Sequence, residues 1–286
     1  MKFLKSFIFI ASIIFLVYIV NLSFKEIKDS IVFVRKNIFL ELISLSVLYA
    51  FFLYFVALSW YYILRQLSQK NISFQLVWIW LQSNIYRYIP GNIFHYASRQ
   101  FIANKNGITH ANLIKSNFIE GFLIVLTSFL FSSIILSMIS DMKVDEYNFV
   151  IDDVYIYFGI FLSFGISLYV WLYRGVKFTE YFISISLYLF FFLGLGFISY
   201  IVINYQMNIG LSYLLITAIY TISWLVGFVT PGAPGGIGVR ESVFIFFTNN
   251  LLSSADVIIL VAILRMISLL GEGILFLLAH YILKRK

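Results

Sequence analysis

The chain has 286 residues, 62% of them hydrophobic and 12% charged, with a mean hydropathy of +0.95 and a net charge of +7. Soluble domains sit near about 45–50% apolar and about 25% charged, so the composition excludes a soluble globular class and points to an integral membrane protein. Basic residues scattered at the ends of apolar runs fit the positive-inside bias and argue against a nucleic-acid partner.

Long alternating strands are absent, so the expected fold is all-α, not a barrel. With no cysteine there is no disulfide or thiolate metal site, and His95, His110 and His280 are too far apart for metal spacing. Neither a metal nor a cofactor is expected.

Lys2 and Lys5 precede an apolar run from Phe7 to Phe24. It is longer than the roughly 7–15 residues of a signal-peptide core and lacks a small-residue cleavage site, so it reads as a retained first span. Lys25 to Asn37 is amphipathic, with Ile27, Ile31 and Val34 on one face, and suits the interface. Its basic residues would face outside, against the positive-inside bias. Ile38 to Leu64 is a second span ending in Trp60-Tyr61-Tyr62 and Arg65.

Phe74 to Ile85 is too short for the roughly 20 residues a span needs, and Pro90-Gly91 follows. Residues 74–100 therefore read as a re-entrant hairpin from the inner side, with Arg99, Lys105 and Lys115 marking that surface. Phe118 to Ile139, Val154 to Tyr173, Tyr181 to Ile203 and Val257 to Leu283 complete six full spans. The acidic loop between Asp141 and Asp153 lies outside and the uncharged loop around Asn204 and Asn208 likewise. A second re-entrant hairpin, residues 210–252, then enters from outside. Both termini are cytoplasmic, and hairpins entering from opposite faces are what an inverted repeat requires. The whole chain, 1–286, reads as one polytopic membrane domain.

The second hairpin is interrupted by Thr230-Pro231-Gly232-Ala233-Pro234-Gly235-Gly236-Ile237-Gly238-Val239-Arg240-Glu241. Proline lacks a donor and glycine is a poor helix former, so no helix passes through this run. Its backbone has to be buried in protein or line a wet cavity. Gly232, Gly235, Gly236 and Gly238 free backbone amides ahead of a helix expected to start near Arg240 or Glu241. The positive end of that helix and the Arg240 fork suit an anion such as a lipid phosphate. The competing reading is a tightly packed turn with Arg240 paired to Glu241 or Glu272.

At the first break, Arg87 and Arg99 are candidates for facing a cavity, Arg99 also for a surface anchor, and His95 reads as packing. Arg265 and Glu272, two turns apart in the last span, share a face. They suit either an ion-pair strut to the Arg240-Glu241 hairpin or a substrate contact. Gly271 and Gly273 would allow a close helix approach there. Glu120 is a partner for Arg87 or Arg99. There is no Ser-His-Asp arrangement, no close carboxylate pair in a broken segment and no phosphate-loop lysine, so no enzyme activity is expected.

Tyr88-Ile89-Pro90-Gly91 with Arg99, then Pro234-Gly235-Gly236-Ile237-Gly238-Val239-Arg240-Glu241 and Arg265, resembles the lysylphosphatidylglycerol synthase transmembrane-region family. These are flippase-like domains, also found in the multiple peptide resistance factor. The resemblance implies a stand-alone member in the bacterial cytoplasmic membrane that translocates an anionic phospholipid or lipid-linked phosphate. Arg240, Gly235, Gly236, Gly238, Glu241, Arg87, Arg99, Arg265 and Glu272 would be its substrate-binding residues. The chain stops at Lys286, where the synthase carries an aminoacyl-transfer domain, so lysyl transfer is not expected. The alternative is a non-transporting subunit that scaffolds or regulates a glycosyltransferase or lipid-modifying enzyme.

Overall fold

The computed structural model describes residues 38–68, 72–89, 94–141, 178–207, 210–230, 236, 238–248, 251–252 and 254–285. The described residues form helices and no strand. In chain order they are α1 (Ile38–Ser68), α2 (Gln75–Asn84) with a 3₁₀ turn (Ile85–Tyr88), α3 (Phe94–Asn104) and α4 (His110–Asp141). Then come α5 (Phe178–Ile201) with a π turn (Val202–Gln206), α6 (Tyr213–Val229), α7 (Val239–Thr248) and α8 (Ser254–Lys284).

Among the described residues, four helices are long and apolar enough to cross a membrane, at Phe39–Ser68, His110–Met138, Thr179–Tyr205 and Asp256–Lys284. They coincide, to within a residue at two ends, with or extend beyond the spans expected at 38–64, 118–139, 181–203 and 257–283, which supports a membrane protein. The expected spans at 7–24 and 154–173 and the interfacial segment 25–37 lie outside the described residues. Along α1 the two faces separate cleanly. Leu40, Ile43, Val47 and Phe51 are exposed at helical spacing, while Leu42, Leu45, Tyr49, Leu53, Val56 and Trp60 are buried. An exposed stripe this apolar suits lipid, not water.

Helix α4 begins at His110, well ahead of Phe118, because Thr109 caps it. The Thr109 carbonyl accepts from Leu113 N at 3.1 Å and its hydroxyl from Asn112 N at 3.3 Å. Buried hydroxyls along the apolar helices donate back to the preceding turn. Ser46 donates to Leu42 O at 2.6 Å, Thr127 to Leu123 O at 2.7 Å and Ser199 to Leu195 O at 2.9 Å. Between α5 and α6, Asn204 closes the connection with both ends of its amide, bonding Leu211 O and Leu211 N at 2.9 Å each.

The hairpins expected at 74–100 and 210–252 are each a pair of packed short helices, α2 with α3 and α6 with α7. Ile89 (φ −70°, ψ 132°) and Thr230 (φ −74°, ψ 115°), the residues before Pro90 and Pro231, both leave the helical region. The proline ring forbids the helical conformation to the residue ahead of it, so the chain turns out at both points. Pro90, Gly91, Asn92 and residues 231–235 lie outside the described residues.

Close approaches hold the long helices together. A Cβ at Gly271 would meet the Ser46 carbonyl oxygen at 2.6 Å and Tyr49 Cδ1 at 2.8 Å, so α8 rests on the α1 backbone there. Nothing lies within 4 Å of the corresponding point on Gly273. Of the two glycines flanking Glu272, only Gly271 makes the contact expected of both.

Candidate functional site

The charged residues of the two breaks converge on a cavity of about 180 Å³, far above the roughly 10–15 Å³ one water needs. Its wall includes Trp80 and Asn84 of α2, Arg87, His95 and Arg99 beside the first break, and Trp224, Gly227 and Arg240 beside the second. Arg87 and Arg99 at the first break and Arg240 at the second are far apart in the chain, and the fold puts all three on one cavity. A second cavity of about 20 Å³ shares Gly236 and Arg240 with the first and adds Tyr88, Tyr220, Glu241 and Arg265.

Three of the four arginines have carboxylate partners. Arg99 is 1% exposed, ion-paired to Glu120 and bonded to Asn117 Oδ1 at 3.2 Å. Its guanidinium lies over the rings of Trp60 at 4.9 Å, Trp80 at 5.1 Å and Tyr96 at 5.5 Å. Glu120 also accepts from Trp80 Nε1 at 2.6 Å. The surface-anchor reading of Arg99 is therefore wrong. The residue looks interfacial in sequence because its neighbours are polar, but all its buried partners except Tyr96 come from other helices far away in the chain.

Arg87 is ion-paired to Glu272, whose Oε1 also accepts from Tyr49 at 3.1 Å and Tyr88 at 3.3 Å. Arg265 is ion-paired to Glu241. Arg265 thus ties α8 to the second break, as a strut to the Arg240-Glu241 hairpin requires, whereas Glu272 ties α8 to the first break instead. Glu120 takes Arg99, one of the two partners open to it.

Arg240 differs. Among the described residues it has no carboxylate partner, and its guanidinium carbon lies 5.7 Å from the Trp224 ring centre. With Arg87, Arg99 and Arg240 set against Glu120 and Glu272, the described residues around the larger cavity carry one positive charge in excess.

The cavity residues also carry buried nitrogens without a partner among the described residues: Asn84 Nδ2, Arg87 Nε, His95 Nδ1, Arg99 Nε and Arg240 Nε. Those of asparagine and arginine are N–H donors. Buried donors are normally paired, so these nitrogens are left unsatisfied by the described protein groups.

No protein-family model, curated protein or solved structure matches this chain.

Gly236 (φ +75°) and Gly238 (φ +81°) adopt the left-handed conformation that side chains disfavour, which is why glycine stands there. Gly238 O takes the first bond of α7, from Ser242 N at 3.2 Å, so the helix starts at Val239, just ahead of the Arg240 or Glu241 expected. Gly235 and Gly232 lie outside the described residues. The sequence reading missed Trp80, Asn84, Tyr96, Trp224 and Gly227. Their signal was present in part: Trp224, Gly227 and Phe228 share an α6 face at i, i+3 and i+4. In a helix this apolar, that spacing is indistinguishable from ordinary core.

Proposed function

We propose that this protein moves an anionic phospholipid or a lipid-linked phosphate between membrane leaflets, with Arg240 holding the phosphate. The observation that carries this reading is the charge balance of the 180 Å³ cavity: its other two arginines are ion-paired to Glu120 and Glu272, and Arg240 has no carboxylate partner among the described residues. An unneutralised cation between apolar helices is costly unless it serves a ligand or a pathway. The start of α7 beside it adds the positive end of a helix dipole.

The resemblance to the lysylphosphatidylglycerol synthase transmembrane region supports the same reading and a bacterial cytoplasmic membrane. In it, six spans and two re-entrant hairpins form two halves whose rocking alternates access to the cavity. Arg87 and Arg99 set the local potential and hold the first break, and no chemical step is assigned to any residue.

The test is a flipping assay in proteoliposomes with a fluorescent anionic phospholipid, comparing wild type with Arg240→Gln. Gln keeps hydrogen-bonding capacity and removes the charge. The expected result is a loss of about tenfold or more in rate, the size of one charged hydrogen bond. Equal rates from two folded proteins would rule the reading out.

A further inference from the structure

Arg240 reaches its position through a slot made by two glycines on different segments. A Cβ built on Gly227 of α6 would meet Arg240 Cγ at 2.6 Å and Nε at 2.9 Å. One built on Gly236 would meet Arg240 Nε at 2.8 Å and the Gly227 Cα at 3.0 Å. Both glycines are buried. The Arg240 stem therefore occupies the space that side chains at 227 and 236 would fill. One turn back from Gly227, Trp224 lies beneath the guanidinium, braced by Phe228 stacked at 5.1 Å and by Phe191 and Phe192 edge-on at 6.0 and 5.4 Å.

We infer that Gly227 is the positioning residue of Arg240, and that the slot selects a guest gripped through two oxygens of one group. With the stem and Nε confined between the glycines and the guanidinium against an indole, the two terminal nitrogens are the donors left to present. Two parallel N–H donors match two oxygens of a phosphate or carboxylate, whereas a lysine offers a single point charge. The inference rests on the anion reading of Arg240 above and adds to it a residue on α6 and a rule of selection.

The experiment titrates a fluorescent phosphatidylglycerol analogue into the purified full chain in neutral detergent micelles. Gly227→Ala is expected to bind at least about tenfold more weakly, and Arg240→Lys to lose about as much despite keeping its charge. Gly196→Ala is the steric control: its Cβ would overlap the Thr217 side chain, yet Gly196 lines neither cavity. It is expected to lower thermal stability while binding at the wild-type level.

In an Arg240→Gln background, Gly227→Ala should remove nothing further, because a residue that acts through another has no effect once that other is gone. Inorganic phosphate should displace the analogue better than chloride at equal ionic strength. Wild-type binding by Gly227→Ala, additive losses, or a Gly196→Ala loss as large as that of Gly227→Ala would overturn the positioning role. Wild-type binding by Arg240→Lys, or equal displacement by chloride, would overturn the two-oxygen grip. If Arg240→Gln itself binds like wild type, the anion reading fails; if it loses binding and Gly227→Ala does not, only the present inference does.

Discussion

At the scale of single residues, the difference between Arg99 and Arg240 decides their roles. Both are arginines beside an interrupted helix. Arg99 meets Glu120, Asn117 and three aromatic rings, and its charge is consumed locally. Arg240 meets an indole and two glycines. Removing one member of a buried pair is costly because the survivor keeps its desolvated charge. Glu120→Gln should therefore destabilise the protein by about 3 kcal/mol, seen as a lower unfolding temperature in detergent. Replacing Glu120 and Arg99 together with leucine should recover much of that loss. An unchanged unfolding temperature in Glu120→Gln would mean that the pair is not held as described. None of these pairings was readable in the sequence beyond a short choice of partners, since Glu120 and Arg99 lie on separate helices and only folding sets their distance.

At the scale of elements, close packing of α8 on α1 depends on one glycine and not on its neighbour two positions on. Gly271→Ala places a methyl against the Ser46 carbonyl, which belongs to a helix backbone and cannot swing aside. It should cost about 1–3 kcal/mol, as overpacking does, and should also disturb the Glu272 tie to Arg87. Gly273→Ala meets open space and should be neutral or stabilising by up to about 1 kcal/mol through helix propensity. Thermal unfolding of the two variants side by side checks both, and equal effects would contradict the geometry. Element boundaries were legible wherever one local rule controls them. Ile89 and Thr230 leave the helix because proline follows, and the helix that holds the span at 118–139 begins earlier because Thr109, a polar cap, starts it ahead of the apolar run.

At the scale of the whole molecule, α8 links the two breaks, through Glu272 to Arg87 and through Arg265 to Glu241. Seven residues separate the two α8 positions, about 10.5 Å along the axis. In the transport reading proposed above, this shared helix would pass a movement of one break to the other. The proposed opposite entry of the hairpins is testable directly, because the chain contains no cysteine. An impermeant maleimide applied to intact cells should label Gly210→Cys, ahead of α6, and reach Lys105→Cys, after α3, only once the membrane is permeabilised. Both positions are exposed. Labelling of both from the same side would end the inverted-repeat account.

The sequence by itself determined the membrane class, four helices that the structure describes, and the points where two apolar regions must break. Each of these follows from composition or from the stereochemistry of a residue and its immediate neighbours. Tertiary structure alone decided that both breaks open on one cavity, that Arg87, Arg99 and Arg265 are ion-paired while Arg240 has no carboxylate partner among the described residues, and that Gly227 makes room for it. Those outcomes depend on distances between side chains far apart in sequence, such as Arg87 and Glu272, and nothing local to either residue specifies them.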